Sequence, residues 1–146
     1  MDAIKKIISS ALEAANPETA VYAAMQLDED ILQVGEQFFQ LEKIANIYLI
    51  AFGKAAPAMA SAARGVLGDK IKKGIVVSKY KTEYELGDFD FFLAGHPIPD
   101  ERSQQVGVAI LDLLTQAGEN DLVIFLISGG GSALITSPVG GVFLDD

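Results

Sequence analysis

Six consecutive large apolar residues, Leu122-Val-Ile-Phe-Leu-Ile127, run directly into Ser128-Gly-Gly-Gly-Ser132. A run this short and uniform fits a strand covered on both faces, the usual state of a parallel strand between helices. The loop that follows then emerges at a carboxyl end of the sheet. Gly129, Gly130 and Gly131 remove the Cβ atoms that would hold a guest away from the backbone. They also permit positive φ, so that neighbouring N–H groups can turn towards one anion. Ser128 and Ser132 add hydroxyls at the rim. A helix opening at Ser132 would favour the same negative guest through its free N–H groups and dipole. Phosphate or carboxylate is the natural occupant, against the plainer alternative of a tight turn with no ligand. The Gly-Lys-Ser/Thr ending of a P-loop is absent.

The rest of the chain repeats the pattern of strand, break and helix. Two helices come first: one with Ile4, Ile7, Ile8, Ala11, Leu12 and Ala15 at helical spacing, the other started by Asn16-Pro17. Ile31-Leu-Gln-Val34 and Phe38-Phe-Gln-Leu41, on either side of Gly35-Glu36, suggest a small hairpin or edge strand. Ile47-Tyr-Leu-Ile-Ala-Phe-Gly53 is a firm strand, followed by an alanine-rich helix with Pro57 in its first turn, the place where proline is tolerated. Gly74-Ile-Val-Val-Ser78 is the next strand and Phe89 to Gly95 the third. His96-Pro-Ile-Pro-Asp100 is a rigid link, and a helix then runs to about Ala117 with Val106, Ile110, Leu113 and Leu114 as its buried stripe. This is the layout of an open, mostly parallel, Rossmann-like α/β sheet with helices on both faces and two leading helices. In such folds ligands collect beyond the carboxyl ends of the strands.

Three residues besides the glycine loop fall at those ends. Lys54 follows the first strand and stands at a helix start, where a cation opposes the dipole, so holding a phosphate or carboxylate oxygen would give it a reason to be there. His96, the single histidine, cannot form a histidine metal cluster. It either fixes its turn through a ring hydrogen bond or does acid–base work. Asp100 is either the N-cap of the next helix or a ligand or magnesium carboxylate, and could be both only with a second free oxygen. Lys70, Lys72, Lys73, Lys79 and Lys81 gather five of the eleven basic residues, as a solvated rim or as an attraction for a ligand.

Composition narrows the classes. The 146 residues carry a formal charge of −9, which argues against nucleic-acid binding or attachment to anionic lipid. With no cysteine, there is no disulfide framework, thiol nucleophile or thiolate metal site. The longest apolar runs are far too short to span a bilayer, and the start lacks the apolar stretch of a signal peptide, so a cytoplasmic protein is expected.

Ala51-Phe-Gly-Lys-Ala-Ala-Pro-Ala-Met-Ala60, Gly95-His-Pro-Ile-Pro-Asp-Glu-Arg-Ser103 and Leu126-Ile-Ser-Gly-Gly-Gly-Ser-Ala-Leu-Ile135 occur in this order with Gly74-Ile-Val-Val-Ser-Lys79 between them. In these blocks the chain resembles the amino-terminal part of the glycerate 2-kinase family, whose second domain is called MOFRL. The resemblance implies phosphoryl transfer from ATP, with Mg2+, to the 2-hydroxyl of D-glycerate, in a cleft between two domains. It implies that Lys54, the Ser128 to Ser132 loop and the His96 to Asp100 turn face that cleft. Some members carry the label hydroxypyruvate reductase, but no Gly-x-Gly-x-x-Gly fingerprint is found here. Family members continue beyond the position matching Asp146. The expectation is therefore a single incomplete α/β domain, residues 1–146, inactive alone and prone to self-association through exposed apolar surface. A non-catalytic anion-binding or nucleotide-binding module is the rival from another class.

Overall fold

A computed structural model describes residues 2–142 and 144. Helix α1 covers Asp2–Ala14 and α2 Pro17–Ala24. Asn16 separates them as expected: its side-chain oxygen accepts from the Glu18 and Thr19 N–H groups at 2.9 and 3.0 Å, with Pro17 in the first turn.

The suggested hairpin is a larger unit. Strands β1 (Met25–Asp28), β2 (Ile31–Val34) and β3 (Gln37–Gln40) form an antiparallel sheet in that order, with Gly35-Glu36 between β2 and β3. Met25, which helical spacing would assign to the α2 stripe, instead opens β1 and is buried there. The first turn was hidden because it is made by Glu29, a non-glycine residue at φ +51°, and Asp30.

The second sheet holds β4 (Ile47–Phe52), β5 (Ile71–Ser78), β6 (Asp90–Leu93) and β7 (Leu122–Ile127), all parallel, in the order β6-β5-β4-β7. Central β4 is buried on both faces, and its alternate side chains feed two cores. Ile47, Leu49 and Ala51 join the core beneath α2, helix α3 (Ala56–Leu67) and the antiparallel sheet. Tyr48 and Ile50 join the core beneath helix α4 (Glu101–Leu114) and the short α5 (Gly131–Leu134). The alanines of α3, with Ala56, Ala60 and Ala63 fully buried, allow that helix to lie close on the sheet.

Several boundaries differ from expectation: β4 ends at Phe52 rather than Gly53, and β5 starts at Ile71 rather than Gly74. β6 is only Asp90–Leu93, the part that meets Ile75–Ser78 in register, and α4 ends at Leu114 rather than Ala117. No described helix is long and apolar enough to cross a membrane.

The chain order decides where a ligand can enter. From β4 the chain winds outward through β5 to β6, then returns through α4 to place β7 on the other side of β4. The loops leaving β4 and β7 therefore start side by side at neighbouring carboxyl ends and lead to helices in different cores, α3 and α5. That reversal opens the crevice in which doubly wound sheets bind their ligands.

Candidate functional site

Two loops meet at this reversal and are joined by hydrogen bonds. The Ser128 N–H donates to the Phe52 carbonyl at 3.0 Å, and the Lys54 N–H to the Gly129 carbonyl at 3.0 Å. The Ser128 hydroxyl accepts from the Ala55 N–H at 3.0 Å and donates to the Phe52 carbonyl at 3.4 Å. Gly53 makes the contact possible. It sits at φ +120°, and a Cβ there would overlap the Ser128 hydroxyl and carbonyl. Ser128 thus ties the two loops together, with its hydroxyl already engaged on both sides.

Beyond Ser128 the loop turns sharply. Gly130 alone of the three adjacent glycines has positive φ, +89°, and a Cβ on it would stand 2.7 Å from His96 Nε2 and 3.5 Å from Lys54 Cε. Lys54, His96 and Gly130 therefore surround one point, although they come from three segments of the sequence. Gly131 begins α5 against the Phe52 ring, while Gly129 and Ser132 are exposed.

Asp100 resolves towards the structural side. Its Oδ1 accepts from the backbone N–H groups of Arg102 (3.0 Å), Ser103 (3.2 Å) and Gly95 (3.2 Å), and the Ser103 hydroxyl closes a capping box. Its Oδ2 receives both Arg102 Nε at 2.9 Å and Nη2 at 2.6 Å. The Arg102 guanidinium, helped by the backbone donors, holds the Asp100 carboxyl down to about 2. The second oxygen needed for a ligand is occupied.

The same carboxylate fixes the His96 turn from outside. A ring hydrogen bond was one expectation for His96, yet its Nδ1 is buried with no partner, and the turn is held by Gly95 N–H to Asp100 instead.

A groove of about 690 Å3 lies on the other side of Lys54. It is bounded by the starts of α2 and α3, by buried Ser78 at the end of β5, and by the segment from Tyr80 to Tyr84. Tyr80, Thr82 and Tyr84 lie between the β5 and β6 runs, outside any motif, and were missed. The signal lay in the length of the β5–β6 connection and in its two tyrosines. Glu18 of α2, as an acceptor for the Tyr84 hydroxyl, and then desolvation raise the Tyr84 pKa. The lysine cluster divides between the two ends of β5, with Lys70, Lys72 and Lys73 at the start and Lys79 and Lys81 after the end. Of these, Lys81 lines the groove.

The Mg2+ implied by the resemblance finds no ready cage. Among the described residues no group of three or more His, Asp or Glu side chains could hold a metal, and Asp100 is committed elsewhere. Glu83 is the carboxylate that borders the groove. The residues present do not make a metal site by themselves.

The chain is similar to one family model and to several known proteins. Residues 3–146 match the family model described as "Domain of unknown function (DUF4147)". The "D-glycerate 2-kinase" of Thermotoga maritima is 41% identical over 143 residues, covering 97% of this chain and 31% of that protein. A protein of Agrobacterium vitis with the provisional name of a hydroxypyruvate reductase is 42% identical over 98 residues, 67% of this chain and 26% of its own length. A crystal structure of a Pyrococcus horikoshii protein superposes with a TM-score of 0.86 at 39% identity, covering 96% of this chain and 31% of that one. The chain thus spans about a third of the length of the relatives it matches. It belongs to the DUF4147 family and corresponds to the amino-terminal part of the glycerate 2-kinases.

Proposed function

We propose that this chain supplies one wall of a phosphoryl-transfer site that phosphorylates D-glycerate at its 2-hydroxyl with ATP, giving 2-phosphoglycerate and ADP. In a protein of the relatives' length, a second domain would close the other side of the cleft. The observation that carries the reading is the convergence of Lys54 and His96 on Gly130 at the point where the sheet order reverses.

The chemistry asks for little more than position and charge. The hydroxyl oxygen attacks the terminal phosphorus, the bond to the ADP oxygen breaks, and the hydroxyl proton is released. Charge on the phosphoryl oxygens must be neutralised meanwhile. Lys54 supplies an ammonium at that point, on a loop held rigid by the Ser128 hydrogen bonds. His96 presents Nε2 towards Gly130 and would orient the acceptor there. Ser132, exposed in the first turn of α5, offers a further hydroxyl beside it.

The reductase label has weaker support, since the loop after β4 reads Gly53-Lys-Ala-Ala56 without the glycine spacing that seats a dinucleotide. A coupled ADP-release assay with D-glycerate, on a protein carrying these residues within the relatives' length, tests the kinase reading. Lys54→Ala is expected to lower kcat by about a hundredfold or more. Full turnover in that variant removes Lys54 from the mechanism, and NADH oxidation with hydroxypyruvate in place of ADP release favours the reductase.

A further inference from the structure

Lys54 borders the groove on one side and lies against Gly130 on the other, and this division assigns two guests. We propose that the groove beside Tyr80 takes the base and ribose of a nucleoside polyphosphate, with its phosphates at Lys54 and Lys81. The Gly130–His96 side is then left for the small acceptor. The proposal rests on the kinase reading above and adds which guest lies on which side of Lys54.

Size is the first argument. About 690 Å3 is the volume of a cofactor-sized site, and a three-carbon acid would leave most of it wet. Chemistry is the second. Tyr80 is 63% exposed, and the Lys79 ammonium stands 4.5 Å from its ring centroid. That cation draws the ring's electrons to one face and leaves the other for a flat heteroaromatic group to stack on. Pro57 and Ala58 at the start of α3 add apolar lining to the same groove. The third argument is charge. In a chain of net charge −9, the groove is bordered by two lysines, 54 and 81, and one carboxylate, Glu83. A polyanion finds a local exception there to the field of the whole molecule. Connectivity completes the case: Lys54 borders the groove and also lies against Gly130, whereas Gly130 and His96 do not line the groove. A phosphate chain leading from Tyr80 to Lys54 would deliver its last phosphorus to the acceptor side.

Photolabelling with 2-azido-ADP, whose reactive group is on the base, followed by peptide mapping, tests this on a protein carrying these residues within the relatives' length. Label within residues 79–84, displaced by excess ATP and not by D-glycerate, is expected. Tyr80→Ala, at an exposed position, should weaken that labelling about tenfold. ATP-displaceable label confined to residues 128–136 overturns the assignment and leaves the kinase reading intact. Absence of any ATP-displaceable label overturns both, and ATP-displaceable labelling of 79–84 that Tyr80→Ala leaves unchanged overturns the stacking role.

Discussion

Asp100 shows how a residue that looks chemical can be spent on architecture. Its two oxygens accept from three backbone N–H groups, a hydroxyl and a guanidinium, and its carboxyl is held at about 2 against an ordinary value of 3.8. A carboxyl depressed by folding stabilises the folded state fully above its unfolded value. That contribution is lost as the pH falls through about 2. Acid unfolding should therefore contain a component in the window between these two values. Asp100→Asn keeps an N-cap acceptor and loses the ion pair, so circular dichroism should show that component flattened. Asp100→Ala should lose about 1 kcal/mol at neutral pH as well, because the cap itself is gone. An unchanged acid transition in the Asn variant would mean that the Arg102 pair contributes nothing.

At the scale of elements, the seam between the β4 and β7 loops determines whether the site exists. Ser128→Ala leaves the Ala55 N–H without its acceptor, and a loss of about 1–2 kcal/mol in urea titration is expected. An unaltered midpoint would mark Ser128 as a ligand group with no structural work. The elements around this seam were legible in the sequence because β4, β5 and β7 are apolar runs bounded by glycine or polar breaks, although β7, expected to be covered on both faces, is an edge strand that leaves Phe125 and Ile127 exposed. A residue that directly follows such a run can be placed at a strand end, which is how Lys54, His96 and the glycine loop were found. The antiparallel sheet was only half legible. Its strands are four residues each, and the Glu29-Asp30 turn lacks the usual glycine or asparagine. The groove was not legible, since its tyrosines lie in a connection without periodicity and become neighbours of Lys54 only through the β4–β5 pairing.

On the whole molecule, the apolar stripe of α1 finds no cover among the described residues. Ile4, Ile7, Ile8 and Leu12 are all more than half exposed, and Phe125 and Ile127 on β7 are 46% and 62% exposed. Apolar surface of this extent invites association. Sedimentation velocity at high concentration should show species larger than a monomer, and the double variant Ile7→Lys with Leu12→Lys should shift the distribution to smaller ones. A wild-type chain that stays monomeric would refute the idea, and a variant that still associates would move the contact to β7.

The seam also governs how the molecule assembles in time. Asn46 bonds Asp121 at one end of the β4–β7 pair and Ala55 bonds Ser128 at the other, each across more than seventy residues of chain. Loops that long close slowly, so these links belong late in folding, after the local β4–α3–β5 unit. A ligand clasping Lys54 and Gly130 together would then act as a bolt across the last joint to shut, raising the melting temperature and slowing amide exchange on both strands at once.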